Sequence, residues 1–212
     1  MVPEKLSTNS SSTSSSNSSS SSAPEEDDVL DAMAAAPRAL FAPPGTGARA
    51  WVNEPLPLPE GQTISQPLVV ARMCELLDLR GDERVLDVGT GSGWHAAVLA
   101  RLARHVWSIE RVAALSRLAA ENLAAAGVEN VTLVVGDGTL GHPPAAPYDA
   151  INVAAGARDR VPAALEAQLA DGGRLVAPVD DRLVLVRREG GRLRRELHEG
   201  VRFVPLVGAD RR

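Results

Sequence analysis

Arg84-Val-Leu-Asp-Val-Gly-Thr-Gly-Ser-Gly93 reads as a short buried strand running straight into a glycine turn. Val85, Leu86 and Val88 suit a strand covered on both faces, and the glycines let the backbone turn sharply into a helix. Outward from this stretch the pattern repeats. His105-Val-Trp-Ser-Ile-Glu110 predicts a second strand, Val131 to Val135 a third, Tyr148 to Val153 a fourth and Arg174 to Val179 a fifth. Helical spacing of apolar residues predicts helices over about 67–79, 96–103, 112–126 and 161–170, with Gly127 closing the third and Gly172-Gly173 the last. Leu183 to Arg188, Leu193 to His198 and Val201 to Leu206 predict shorter strands. Strands alternating with helices mean βαβ units and a mostly parallel sheet, and the strand-rich end adds antiparallel strands at one edge.

The chain has 212 residues and a net charge of −5. One base and five acids among residues 1–28 supply −4 of this, so the remaining 184 residues are nearly neutral. That excludes a general nucleic-acid binder, which needs a basic stripe. The arginines between Arg187 and Arg202 are interleaved with Glu189, Glu196 and Glu199, as on a solvated strand face. No apolar run approaches the ~20 residues that span a bilayer, and the N-terminus has no apolar core of a secretory signal. The single cysteine, Cys74, excludes an internal disulfide. A cytoplasmic monomer without membrane partner is expected. The four histidines form no ligand pattern, so no metal is expected.

Residues 7–22 are all Ser, Thr or Asn and predict a disordered tail over 1–28. One α/β domain is expected over 29–208, with a short tail at 209–212. Acids 25–28 suit the first turn of a helix that Pro37 ends. Residues 43–61 hold eight Pro and Gly and predict a long irregular segment of the kind that serves function.

Three features fall on the carboxyl ends of the first three strands, where open α/β sheets bind ligands. Gly89, Gly91 and Gly93 let backbone approach a ligand. Glu110, 21 positions after Gly89, stands where an acid accepts from ribose hydroxyls. Asp137, in the turn Gly136-Asp-Gly138, can reach an adenine amino group or simply favour the turn. The dinucleotide fingerprint fails, because Trp94 occupies the place of its third glycine. Asp87 repels phosphate but can pair, directly or through water, with an ammonium group. A ligand with an adenine, a ribose and an amino-acid end fits: S-adenosylmethionine, leaving as S-adenosylhomocysteine.

Gln62-Thr-Ile-Ser65-Gln-Pro67 precedes the 67–79 helix. Ser65 or Gln66 can cap that helix, and the same geometry can hold a hydroxyl at the edge of the ligand pocket. His95 and Trp94, next to the glycine turn, and Trp51 are further candidates for the cleft. Trp107 and Cys74 read as core.

With these motifs in view, the chain resembles the protein-L-isoaspartate (D-aspartate) O-methyltransferase family. The resemblance rests on Gly61-Gln-Thr-Ile-Ser-Gln-Pro67, Val85 to Gly93, Ser108-Ile-Glu110, Gly136-Asp-Gly138, Ala146-Pro-Tyr-Asp-Ala150, Gly172-Gly-Arg-Leu-Val176 and Val201-Arg-Phe-Val-Pro-Leu206. It implies a Rossmann-like class I methyltransferase fold. It implies methyl transfer from S-adenosylmethionine to the α-carboxylate of an isoaspartyl residue in a damaged protein or peptide. By position it implies Ser65 as the active-site serine, and Gln62, Thr63, Ile64, Ser65, Glu110, Asp137 and Gly138 as cofactor contacts. Trp94-His95, Glu54, Pro59 and Asn152 depart from the commoner family residues. A related activity, methylation of a normal aspartate in a peptide precursor to form an aspartimide, is the alternative. The chain has no C-terminal extension for such recognition, so repair is expected.

An α-carboxyl group has a pKa of about 3.3–3.7 and is ionised at neutral pH. The expected chemistry therefore needs alignment rather than a general base, with Ser65 donating to one carboxylate oxygen and aiming the other. The segment 43–61 and the residues around 200–207 are the expected walls of the acceptor groove.

Overall fold

The computed structural model describes residues 26–208, so the Ser-rich tail and residues 209–212 lie outside the described residues. Helix α1 (Glu26–Ala35) starts on the acids predicted to favour its first turn, and Pro37 stops it. Strand β1 (Leu56–Pro57) pairs with β2 (Thr63–Ile64) in a small antiparallel ladder, and α2 (Pro67–Leu77) follows. The main sheet is built from β3 (Arg84–Val88), β4 (His105–Glu110), β5 (Val131–Val135), β6 (Tyr148–Val153), β7 (Leu169–Val179), β8 (Arg182–Glu189) and β9 (Arg192–Gly200). Helices α3 (Trp94–Leu102), α4 (Ala113–Ala125) and α5 (Ala163–Ala167) connect them.

The strand order is β5-β4-β3-β6-β7-β8-β9, parallel from β5 to β7 and antiparallel from there to β9. The crossovers run from β3 out to β5, then return to place β6 on the other side of β3. The switch between β3 and β6 opens a crevice at their carboxyl ends, where Gly89 and Ala154 begin the departing loops. Side chains alternate across the sheet. Val85, Val106, Ala150 and Val176 pack with α1, α2 and α3, while Leu86, Ile109, Ile151 and Leu175 pack on the opposite face with Leu165 of α5. Among the described residues no helix is long and apolar enough to cross a membrane.

Three elements differ from the sequence reading. The helix expected over 161–170 spans five residues only, and β7 starts at Leu169 rather than Arg174. Gly172 and Gly173 do not close a helix; they form a bulge, with Leu169 opposite Tyr148 and Arg174 opposite Ala150. Gly172 has φ +79°, and a Cβ on Gly173 would lie 2.8 Å from the Ala170 carbonyl oxygen, so bulge geometry requires both glycines. Val201 to Leu206 is extended but is not a strand of the sheet. It is pinned to the β6–α5 loop by the Gly156 amide donating to Val204 O and the Leu206 amide donating to Gly156 O, both 2.8 Å. Pro205 between them has no N–H with which to continue a ladder.

Candidate active site

Asp87 of β3 stands level with Ser108 of β4 and Asn152 of β6, its neighbours in the ladder. All three are fully buried. Ser108 Oγ donates to Asp87 Oδ2 and Asn152 Nδ2 to Asp87 Oδ1, each at 2.7 Å. Thr90 Oγ1 meets Ser108 Oγ at 2.6 Å, which ties the glycine turn to this row. Burial pushes the Asp87 carboxyl up to about 6, against the opposing pull of the Asn152 and Ser108 hydrogen bonds and with a further rise from the charge of Glu110. Asp87 therefore lies beneath the turn rather than on the cleft surface.

The turn itself needs its glycines. Gly89, Gly91 and Gly93 have φ of +98°, +56° and +89°. A Cβ on Gly93 would come within 3.3 Å of Ala119 Cβ and Leu123 Cγ, so the start of α3 lies directly against α4. Two residues on, His95 faces inward. Although a surface position or a ligand contact was open for it, His95 is 6% exposed, with Nδ1 3.2 Å from Asn152 Nδ2 and Nε2 3.7 Å from Cys74 Sγ. Burial lowers its pKa to about 4 and keeps the ring neutral. Cys74 is buried, as read. Trp94 is buried as well, its Nε1 donating to Ala36 O at 2.9 Å, whereas Trp51 is 66% exposed.

Above the turn lies a cleft of about 130 Å³. Gln62 and Thr63 border one side, Gly89 and Gly91 the floor, and Glu110 and Gly138 the far end. Val88, Ile109, Ala154 and Leu206 give it apolar walls. Glu110 is 7% exposed and is held by two amides: Gly91 N donates to Oε2 at 3.0 Å and Val112 N to Oε1 at 2.9 Å. Each oxygen retains capacity for one more donor. Gly138 packs its backbone against Val88, since a Cβ there would lie 2.5 Å from Val88 Cγ1. Asp137 is half-buried, and its Oδ1 accepts from Thr139 N and Thr139 Oγ1 at 2.9 and 2.7 Å. An acid, apolar walls and open backbone suit a nucleoside that carries hydroxyls and no pyrophosphate.

Ser65 stands on the other side of Thr63. The two capping readings are resolved by Asn53, whose Oδ1 accepts from Leu68 N at 3.0 Å. Gln66 is the N-cap of α2 without any side-chain cap bond. The α2 N-terminus is thus served from a distant turn, and Ser65 Oγ has no partner among the described residues. Ser65, Thr63, Pro55, Val69, Arg202 and Phe203 line a groove of about 500 Å³, to which the 43–61 segment contributes Pro55 alone. Ile64 is 3% exposed and anchors the strand between the two openings. Among the described residues no three His, Cys, Asp or Glu side chains come together in a way that could hold a metal ion.

Sequence reading missed Arg38. It is 2% exposed, and its guanidinium donates to the carbonyls of Ala50, Val52, Glu54, Ile64 and Ser65. Its only sequence signal is a charged residue in the otherwise apolar run Ala34 to Ala42.

The family model for protein-L-isoaspartate (D-aspartate) O-methyltransferase matches residues 16–211. A protein-L-isoaspartate O-methyltransferase of Methanoregula boonei is 53% identical over 184 residues, covering 85% of this chain and 84% of its own. A protein-L-isoaspartate O-methyltransferase 2 of Marinobacter nauticus is 50% identical over 188 residues, covering 86% and 85%. Among solved structures, a protein-L-isoaspartate O-methyltransferase superimposes with a TM-score of 0.79 at 30% identity; the match covers 86% of this chain and 62% of that longer one. A Plasmodium falciparum protein described under the same enzyme name, solved in complex with S-adenosyl-L-homocysteine, shares the fold with a TM-score of 0.74 at 24% identity, over 85% of this chain and 90% of that one. With a match over nearly its whole length and relatives at half identity, the chain belongs to the protein-L-isoaspartate (D-aspartate) O-methyltransferase family.

Proposed function

We propose that this chain methylates the α-carboxylate of L-isoaspartyl residues in damaged proteins and peptides, using S-adenosylmethionine, and that Ser65 orients the acceptor. One observation carries the residue assignment: Thr63 lines both the cleft beside Glu110 and the groove next to it, and Ser65, whose hydroxyl has no partner among the described residues, lines that groove two residues further on. S-adenosylmethionine supplies an activated methyl group on a sulfonium. Glu110 would hold its ribose hydroxyls, Val88 and Ile109 its adenine, and Gln62, Thr63, Gly89 and Gly91 its amino-acid end. Asp87 lends a buried negative charge beneath that end and keeps the turn in place through Ser108 and Thr90.

The acceptor carboxylate is already an anion, so no side chain need remove a proton. Ser65 donates its hydroxyl hydrogen to one carboxylate oxygen and leaves the other aimed at the methyl. Positioning of this kind lowers a barrier by roughly 7–11 kcal/mol in favourable cases. The resulting ester is open to attack by the next backbone nitrogen, which expels methanol and forms a succinimide. Hydrolysis of that ring returns part of the material as normal aspartate. A lone cysteine suits a reducing cytoplasm.

The test pairs an isoaspartyl peptide with its aspartyl twin. Methyl transfer to the first only is expected; transfer to the aspartyl twin would support the aspartimide-forming alternative. Ser65→Ala should lower kcat by roughly 10- to 100-fold with S-adenosylhomocysteine binding little changed. A parental rate in Ser65→Ala removes Ser65 from the mechanism.

A further inference from the structure

We infer that Arg38 is a positioning residue for methyl transfer, acting through Ser65 by fixing the two peptide planes on either side of it. This rests on the role of Ser65 proposed above. A serine whose flanking peptide planes are fixed has one remaining freedom that moves its oxygen, the rotation about Cα–Cβ. The Ile64 carbonyl belongs to the plane before Ser65 and the Ser65 carbonyl to the plane after it. Arg38 Nη2 donates to both, at 3.4 and 3.0 Å.

The same guanidinium holds the turn at 50–54. Nη2 also donates to Glu54 O at 2.8 Å, and Nη1 donates to Ala50 O at 3.2 Å and Val52 O at 3.3 Å. The turn at 50–54 is thereby locked to Ser65. Asn53 of that turn caps α2 at Leu68, so the tripeptide from Ser65 to Pro67 is tied at both ends to one support. Trp94 completes the seat, its ring centroid 5.2 Å from the guanidinium carbon and its Nε1 bonded to Ala36 O just ahead of Arg38.

Among the described residues the hydrogen-bond partners of Arg38 are carbonyl oxygens, not carboxylates, and Glu54 gives its carboxylate to Arg49 instead. A simple ion pair would secure one point. A planar fork whose four Nη hydrogens are shared among five carbonyls from two segments fixes their relative geometry. Lysine offers a point charge with three donors and cannot reproduce this.

The experiment is a double-mutant cycle with Arg38→Lys and Arg38→Met, each alone and combined with Ser65→Ala. Turnover of an isoaspartyl peptide is measured below the unfolding temperature of each variant, and S-adenosylhomocysteine binding by calorimetry confirms an intact cofactor cleft. Arg38→Lys should lower kcat by roughly 10- to 100-fold, Arg38→Met by more, and neither should add loss once Ser65 is alanine. Should Arg38→Met not fold, Arg38→Lys alone completes the cycle. A parental kcat in Arg38→Lys, or the same loss with and without Ser65, overturns the proposal. A parental rate in Ser65→Ala alone strikes the Ser65 assignment instead.

Discussion

Asp87 and His95 share one amide: Asn152 Nδ2 donates to Asp87 Oδ1 at 2.7 Å and lies 3.2 Å from His95 Nδ1. With His95 neutral, Nδ1 accepts from Asn152 and Nε2–H points to Cys74, so donation runs outward from the Asn152 amide, to Asp87 on one side and through His95 to α2 on the other. Asp87 and His95 titrate in opposite senses.

Their effects on stability should nearly cancel. Asp87 is raised from 3.8 to about 6, so its contribution is full below pH 3.8 and is lost as pH rises through 6. His95 is lowered from 6.5 to about 4, so its contribution is full above pH 6.5 and is lost as pH falls through 4. At about 1.4 kcal/mol per pH unit each displacement is worth about 3 kcal/mol. Asp87→Asn should therefore lose about that much on acidification from pH 6.5 to 4, and His95→Gln should gain a similar amount. Urea midpoints across this range measure it; matching profiles in the two variants would disprove the opposition.

Glu110 holds the glycine turn and the far end of the cleft with the same carboxylate. In Glu110→Gln an amide NH2 would face one of the two backbone N–H groups, donor against donor. Hydrogen bonds to charged groups contribute about 1.5–3 kcal/mol, so S-adenosylhomocysteine affinity should fall by one to two powers of ten. Parental affinity by calorimetry would show that the carboxylate serves the turn alone.

Gly93 and Gly127 separate backbone strain from packing. Both have positive φ, +89° and +63°, but a Cβ on Gly127 meets nothing within 4 Å while one on Gly93 presses on α4. Gly127→Ala should lower stability by about 1–2 kcal/mol. Gly93→Ala should add about 1–3 kcal/mol of overpacking. Equal melting temperatures for the two variants would mean that α4 yields without cost.

The parallel strands were legible because each is an apolar run ending at a turn, and the placing of the glycine turn, Glu110 and Asp137 at strand ends was legible with them. The end of the molecule was less so. Gly172-Gly173 suits a helix stop and a bulge equally, and only the pairing of β7 with β6 decides between them. The inward side chain of His95 meets Asn152 and Cys74, 57 and 21 positions away, which no local pattern encodes. Arg38 was illegible for a deeper reason: its partners are main-chain carbonyls, which every residue carries, and they lie 12 to 27 positions away.

One wall of the cleft beside Glu110 comes from Val204 to Val207, laid across strand tips assembled from residues 84–153 and pinned at Gly156. During synthesis the sheet core from β3 to β6 can form while this stretch is still inside the ribosome. A nascent chain therefore has the floor of its cleft before it has the roof, and the pocket becomes whole only after residue 207 has emerged.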